Sequence, residues 1–291
     1  MDKLGFIGLG VMGEPMCRNL ARRHRGRVSA HDIRPEPLKR LSVDGVAAVA
    51  SVAQLAAHAD VIFLSLPAEP QVRAVGLELS LAARPGQAIV DCSTSPVALA
   101  RELATAFTAR GAHFADAPVA RTRQAAIDGT LAFMVGADAF LFHRIEPLLR
   151  AMGTDVIHCG PPGAGQAVKL LNNMVLSTTV TALAEAMAVA KASGVVDPRI
   201  LFEAFAKSSA DSFALRNHGM KSLLPESHPQ RAFPVSYMQK DVSYALELAR
   251  DAGLDLQSAG TVKKLLEETA SLGLGEAYHT AIIEAVRKHR S

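Results

Sequence analysis

The first twenty residues constrain the fold of this chain more than any other stretch. Lys3-Leu-Gly-Phe-Ile-Gly8 is a short apolar run dense enough to be a buried strand. It leads through Gly8-Leu-Gly10-Val-Met-Gly13 into Glu14-Pro-Met-Cys-Arg-Asn-Leu20, which reads as a helix. In that order, Gly8 permits a tight turn, Gly10 lets a pyrophosphate approach the main chain, and Gly13 lets the helix pack closely on the strand. The free N–H groups at the helix start then face the phosphates. Asp32, 19 residues beyond Gly13, ends a second strand, Arg27-Val-Ser-Ala-His-Asp32, where a carboxylate accepts hydrogen bonds from an adenosine ribose. These residues predict a dinucleotide-binding unit. A carboxylate at that point repels a 2′-phosphate and so favours NAD. Arg34, two residues later, is able to pair with that phosphate, which leaves NADP open.

The pattern continues as alternating helix and strand. Helical stretches near Pro37–Val43 and Ser51–His58 precede the apolar strand Val61–Leu66, which Pro67 stops. Gln87–Asp91 is a further strand, followed by Cys92-Ser93-Thr94-Ser95-Pro96 and a helix to about Ala109. The runs His113–Pro118, Gly129–Gly136 and Asp155–His158 close the series. Such alternation predicts a Rossmann-type, doubly wound parallel sheet, with ligands gathered at the carboxyl ends of the strands, where Leu66-Pro67, Ser93-Thr94 and Pro118-Val119 fall. After Gly160-Pro-Pro-Gly163 the periodicity changes. Gln166 to about Ser193 carries apolar residues around most of its circumference and is expected to be a long, deeply buried helix. Asp197–Lys207, Met238–Ala252 and Ser258–Leu272 read as further helices. The expected organisation is a dinucleotide-binding domain over 1–161, a long interdomain helix over 162–192, and an all-helical domain over 193–291 for substrate binding and oligomerisation.

Lys169 and Asn173 stand one helical turn apart in Gly163-Ala-Gly-Gln-Ala-Val-Lys169-Leu-Leu-Asn172-Asn173, so an ammonium and an amide share one helix face. That pair is equipped to move a proton while a cofactor moves a hydride. By itself the window also fits a solvated lysine beside an asparagine cap.

Composition narrows the alternatives. A chain of 291 residues, 49% hydrophobic, has enough apolar material for one large core or two medium ones. The net charge of +3 is small, the Lys and Arg are scattered, and there is no tryptophan, so a nucleic-acid footprint is not expected. The sequence reading finds no apolar run long enough to span a bilayer, and no charged leader before the first strand, which points to the cytoplasm. Cys17, Cys92 and Cys159 are an odd, widely spaced set, read as reduced packing residues. Neither they nor the ten His residues show metal-ligand spacing, so no metal is expected.

Five ordered motifs resemble the β-hydroxyacid dehydrogenase family, the group of 3-hydroxyisobutyrate dehydrogenase and tartronate semialdehyde reductase. They are Gly8-Leu-Gly-Val-Met-Gly13-Glu-Pro-Met16-Cys-Arg-Asn19-Leu20, Asp91-Cys-Ser93-Thr94-Ser-Pro96, Asp116-Ala-Pro118-Val119, Gly163-x-Gly165-x-x-x-Lys169-x-x-Asn172-Asn173 and Lys240-Asp241. The likeness covers essentially the whole chain. It implies Val11, Met12, Asp32, Leu66, Pro67, Thr94 and Lys240 at the cofactor, beside the glycines. Lys169 is implied as the catalytic acid/base and Asn173 as a substrate-orienting group, with Asn172 beside it. Imine reductases share this fold but lack the lysine, which argues for alcohol–carbonyl chemistry. A homodimer or homotetramer formed through the helical domain is expected. The opposing reading is a non-catalytic dinucleotide sensor or scaffold, against which Lys169 and Asn173 speak.

One motif departs from the family pattern. Where most members follow Asp-Ala-Pro-Val with Ser-Gly-Gly, a cradle for the substrate carboxylate, this chain reads Ala120-Arg121-Thr122-Arg123. The run through Thr122 and on to Ala125-x-x-x-Gly129-Thr130-Leu131 is similar to the sulfolactaldehyde reductases, in which a matching Arg meets a sulfonate. The expected substrate is therefore small and anionic, with Ala120, Arg121 and Thr122 at its anionic group. A guanidinium fork suits sulfonate, phosphate and carboxylate alike, and Arg121 has the plainer alternative of a surface ion pair. A water-poor cleft beside Arg121 would lower the pKa of Lys169 and let it act as a base. Lys240 has the alternative of a helix-surface ion pair with Asp241. Ser93 and Thr94 have that of capping the next helix.

Overall fold

The computed structural model describes residues 2–24, 26–230 and 232–288, so the outermost domain bounds, Met1 and Ser291, lie outside the described residues. The chain divides into two compact units, Met1–Lys169 and Leu170–Ser291.

In the first unit β1 (Leu4–Ile7), α1 (Gly13–Arg23), β2 (Val28–His31), α2 (Pro35–Leu41), β3 (Ala47–Ala48), α3 (Val52–His58), β4 (Val61–Leu64), α4 (Glu69–Ala82), β5 (Ala88–Asp91), α5 (Val97–Thr108) and β6 (His113–Asp116) alternate as expected. β7 (Val119–Ala120), α6 (Arg123–Asp128), β8 (Leu131–Gly136), α7 (Ala139–Leu149) and β9 (Gly153–Gly160) follow. The strands form one sheet in the order β3-β2-β1-β4-β5-β6-β8-β7, with β9 also paired to β8. Strands β1 to β6 are parallel and in step, Leu4 lying opposite both Val28 and Val61. β8 runs antiparallel to β6 and β7, so the sheet is mixed at that end.

Both faces are covered, and the period of two along each strand decides which side chain goes where. Leu4, Phe6, Val61, Phe63, Ala88 and Val90 pack under α1 and α7 against Met16, Leu20, Leu141 and Ile145. Ile7, Ile62, Leu64 and Ile89 face the other way, against Leu55 of α3, Val72 of α4, and Leu103 and Phe107 of α5. Fully buried rings such as Phe63 each contribute roughly 1.5–3 kcal/mol by leaving water.

α8 (Ala164–Ser193) begins in the first unit and continues into the second. It is partly covered rather than deeply buried: Val180, Leu183, Ala184 and Met187 join the second core, whereas Val175 is 59% exposed and Val189 67%. Among the described residues it is the one helix long and apolar enough to cross a membrane by length and composition, which corrects the sequence expectation that no run reaches that length. Its polarity is partly hidden, because Thr178, Thr179 and Thr181 donate to carbonyls one turn back. Much of its length is nonetheless packed in the core of a compact unit.

The rest of the second unit is helical: α9 (Pro198–Phe205), a wide π-type segment over Leu215–Leu223, α10 (Val235–Asp251), α11 (Gln257–Thr269) and α12 (Ile282–Lys288). Val235, Met238, Val242 and Ala245 give α10 its buried stripe, and Val262, Leu265 and Leu266 give α11 its own. Neither α12 nor the π-type segment is among the helices expected from the sequence.

Candidate active site

The glycine turn is built as its residue types demand. Gly8 has φ +90°, and a Cβ there would lie 2.3 Å from the Ser65 carbonyl oxygen. One on Gly13 would lie 1.9 Å from the carbonyl oxygen of Gly8. Gly10 faces open space, with nothing within 4 Å of where a Cβ would stand. Val11 is 55% exposed, Met12 is half-buried, and no side chain caps the start of α1. This cradle fits a pyrophosphate: closed where the chain must turn and open where the phosphates must come.

Asp32 follows β2. Its Oδ2 accepts from the Leu9 N–H at 2.6 Å and its Oδ1 from the Arg34 N–H at 2.8 Å, so the carboxylate is tied to the glycine turn itself. Arg34 Nε lies 3.4 Å from Asp32 Oδ1 and its Nη2 donates to the Leu9 carbonyl at 3.3 Å, with the side chain largely exposed.

Leu66 and Pro67 follow β4, and Ser93 and Thr94 follow β5, so four neighbouring strands, β2-β1-β4-β5, present Asp32, the glycine turn, Leu66-Pro67 and Thr94 at one end of the sheet. The Leu66 N–H donates to Ser93 Oγ at 2.9 Å, and the Ser93 N–H donates to Asp91 Oδ1 at 2.9 Å. The cap residue of α5 is Pro96, so neither Ser93 nor Thr94 takes the helix-capping role.

Below this loop lie two buried carboxylates. Burial pushes Asp91 up to about 7, against the hydrogen bonds from Ser93, and pushes Asp116 up to about 6, against those from Gly163 and Gln166. Asp116 caps α8, accepting from the Gly163 N–H at 2.6 Å and the Gln166 N–H at 2.7 Å. Three residues beyond Gln166, Lys169 is 9% exposed.

Arg121 is engaged within the protein. Its guanidinium is not a free fork: it donates to the Thr130 carbonyl, to Thr154 Oγ1 at 2.8 Å and to Asp155 Oδ2 at 2.5 Å, on the surface. Thr154 and Arg121 together hold the Asp155 carboxyl below the usual carboxylate range. The plainer alternative, an ion pair, is the observed one. Its main chain, at φ +87°, adopts the left-handed conformation that a glycine takes. Thr122 caps α6 through the Ala125 N–H, and Ala120 pairs with Ala132 in β8.

In the second unit, Asn173 is 3% exposed. Its Nδ2 donates to Asp241 Oδ2 at 2.7 Å, and its Oδ1 accepts from Asn172 Nδ2 at 3.1 Å. Lys240 Nζ stands 3.5 Å from Asp241 Oδ1 and lies over the rings of Tyr237 and Tyr244. Asp241, 1% exposed, thus gathers Asn173 and Lys240. The sequence reading singles out neither Asp241 nor Gln166 as a site residue. For Asp241 the available signal is the Lys240-Asp241 motif itself, and for Gln166 its place in the run from Gly163 to Lys169. Among the described residues no group of three or more His, Cys, Asp or Glu is placed to hold a metal ion.

Comparison with known proteins agrees with this geometry. The profile for the NAD-binding domain of 6-phosphogluconate dehydrogenase matches residues 3–160, and that for the NAD-binding region of NADP-dependent 3-hydroxyisobutyrate dehydrogenase matches 163–286. The chain is 33% identical to the 2-hydroxy-3-oxopropionate reductase of Escherichia coli, across 98% of this chain and 97% of that one. It is 34% identical to an NAD-dependent L-serine dehydrogenase of Pseudomonas aeruginosa, across 99% of this chain and 97% of that one. Among solved structures, the 3-hydroxyisobutyrate dehydrogenase of Mycobacterium tuberculosis with L-serine superposes with a TM-score of 0.91 at 31% identity, covering 99% of both chains.

Proposed function

From the premise that this chain belongs to the β-hydroxyacid dehydrogenase family, we propose that it interconverts a small β-hydroxycarboxylic acid and its semialdehyde, with Lys169 as the proton-transfer group. The chain is an oxidoreductase that uses a nicotinamide dinucleotide, and a non-catalytic sensor or scaffold is not favoured. The observation that carries the reading is the alignment of the glycine turn, Asp32, Leu66-Pro67 and Thr94 on four adjacent strand ends, in the same unit as Lys169.

The nicotinamide, when bound, supplies or accepts the hydride. In oxidation Lys169 takes the proton of the substrate hydroxyl as its carbon loses hydride, and in reduction its ammonium protonates the developing alkoxide, a role typically worth 10²–10⁴-fold. Asn173, with its amide fixed by Asp241, orients the substrate. Lys240 serves the cofactor. The substrate carboxylate is met by the main chain of Ala120–Thr122. The left-handed backbone of Arg121 supports this, because it keeps the shape of the glycine it replaces while the guanidinium turns to Asp155. This favours a carboxylate over a sulfonate.

Asp32 favours NAD over NADP. The helical unit forms a homodimer or homotetramer, supported by the uncovered aliphatic side chains of α8. A cytoplasmic location belongs to the same reading, and cell fractionation tests it.

The deciding variant is Lys169→Ala. It is expected to lower kcat by roughly 10²–10⁴-fold while NADH affinity stays within a few-fold. Weakened NADH binding without a specific loss of turnover would place Lys169 in a structural role.

A further inference from the structure

Gln166 is fully buried, and the proposed chemistry does not use it. Its side-chain Nε2 donates to the Ser93 carbonyl at 2.7 Å, and its Oε1 accepts from the Ser95 N–H at 3.1 Å. One amide therefore grips the main chain on both sides of Thr94, the one residue of Ser93–Ser95 that is not fully buried. Gln166 is itself held, since its N–H donates to Asp116 Oδ2 at 2.7 Å. The helix start beneath it has no slack: a Cβ on Gly165 would lie 2.1 Å from the Met134 carbonyl oxygen and 2.9 Å from Asp116 Oδ2. On the far side, Ser93 is tied to Leu66 and Asp91. The result is an unbroken chain of hydrogen bonds from the β4 and β5 loops to the first turn of α8, three residues before Lys169.

We infer that Gln166 is a positioning residue that fixes the Thr94 loop in register with Lys169. The inference rests on the reading of Thr94 as a cofactor residue and of Lys169 as the proton-transfer group. Hydride and proton must move together, and a displacement of about 1 Å between reacting groups costs on the order of 100-fold in rate. A glutamine amide suits the task because it offers a donor and an acceptor in one plane. A methionine of similar size offers neither in useful strength.

The test compares wild type, Gln166→Met, Gln166→Glu and Lys169→Ala. In Gln166→Met, kcat is expected to fall about 10- to 100-fold, while the NADH dissociation constant, read by fluorescence titration, rises no more than about threefold. In the cofactor-free protein, hydrogen exchange at the Ser95 amide is expected to accelerate at least tenfold, with the β5 amides unchanged. Gln166→Glu keeps the acceptor for Ser95 but, when ionised, loses the donor to Ser93. Its kcat relative to wild type is therefore expected to rise as pH falls and a carboxyl O–H restores that donor. If Gln166→Met does not fold, the pH profile of Gln166→Glu and its Ser95 exchange carry the test. The inference is overturned if a folded Gln166→Met keeps kcat within threefold of wild type. It is equally overturned if kcat, NADH affinity and Tm decline in parallel, or if Gln166→Glu keeps a pH-independent ratio. Lys169→Ala separates the failures: if it alone loses turnover, only the role of Gln166 falls, and if it retains turnover, the acid/base reading falls first.

Discussion

Arg121 holds a φ of +87°, a region that costs a residue with a Cβ about 1 kcal/mol or more, and its side chain bridges to Thr130, Thr154 and Asp155. An exposed ion pair contributes little, so replacing arginine by the residue that fits this backbone should be nearly free. Arg121→Gly is expected to leave KM for a carboxylated substrate within about threefold and Tm nearly unchanged. A KM increase of ten- to a hundredfold confined to anionic substrates would return the guanidinium to the substrate. Asp32 carries the other prediction at this scale. Its carboxylate is pinned to the Leu9 and Arg34 amides, and Arg34 already pairs with it. A repulsion of about 1.4 kcal/mol against a 2′-phosphate gives a tenfold preference, so kcat/KM should favour NAD(H) by that factor or more. Equal use of both cofactors would mean that Arg34 leaves Asp32 for the phosphate.

The π-type segment Leu215–Leu223 contributes His218 to a group of three histidines, with His228 and His279, that no catalytic reading uses. His218 Nδ1 is hydrogen-bonded to the Tyr278 hydroxyl and His228 Nδ1 to Thr280 Oγ1, while the Nε2 atoms of His218, His228 and His279 are buried without a hydrogen-bond partner. Burial holds His218 down to about 4, helped by Lys221. It holds His279 down to about 3, helped by His218 and His228. His228 is lowered by burial, with Glu284 opposing and Arg287 assisting. The His218 and His279 rings stay neutral in the folded state down to about those values, whereas in the unfolded chain they take up protons below about 6.5. Their contribution to stability is therefore complete above that pH and is lost as pH falls toward 4 and 3. Asp91 and Asp116 act with the opposite sign. Raised by burial, they contribute stability below about 4 that is lost as pH rises through about 6 to 7, so a single stability curve mixes both effects. The difference between wild type and His218→Gln isolates the ring. By urea unfolding, the penalty of the substitution should be about 2 kcal/mol smaller at pH 5 than at pH 8. An equal penalty at both values would count against a neutral, buried His218.

At the scale of the whole molecule, α8 decides the assembly prediction. Leu171, Val175 and Val189 leave aliphatic surface open along a helix whose other side is packed. In the proposed homo-oligomer a second copy of the same chain covers this surface. Wild type should sediment as a dimer or tetramer at micromolar concentration, and Val175→Glu combined with Val189→Glu should shift it toward monomer. A monomeric wild type would remove the proposal. The strand–glycine–helix turn, the carboxylate after β2, the alternation that builds the sheet, and the Lys169–Asn173 spacing are all legible along the chain. Each is a short-range pattern, and its chemistry needs only residue type and separation along the chain. The tertiary structure decided what distant residues do to one another: that Asp155, 34 positions away, takes the Arg121 fork, that Gln166 reaches back 71 positions to Ser95, and that Asp241 fixes Asn173 from 68 positions away. It also decided that β8 turns antiparallel and that one side of α8 stays uncovered. A buried polar atom must find whichever partner the fold brings within about 3 Å, and residue spacing carries no record of that choice.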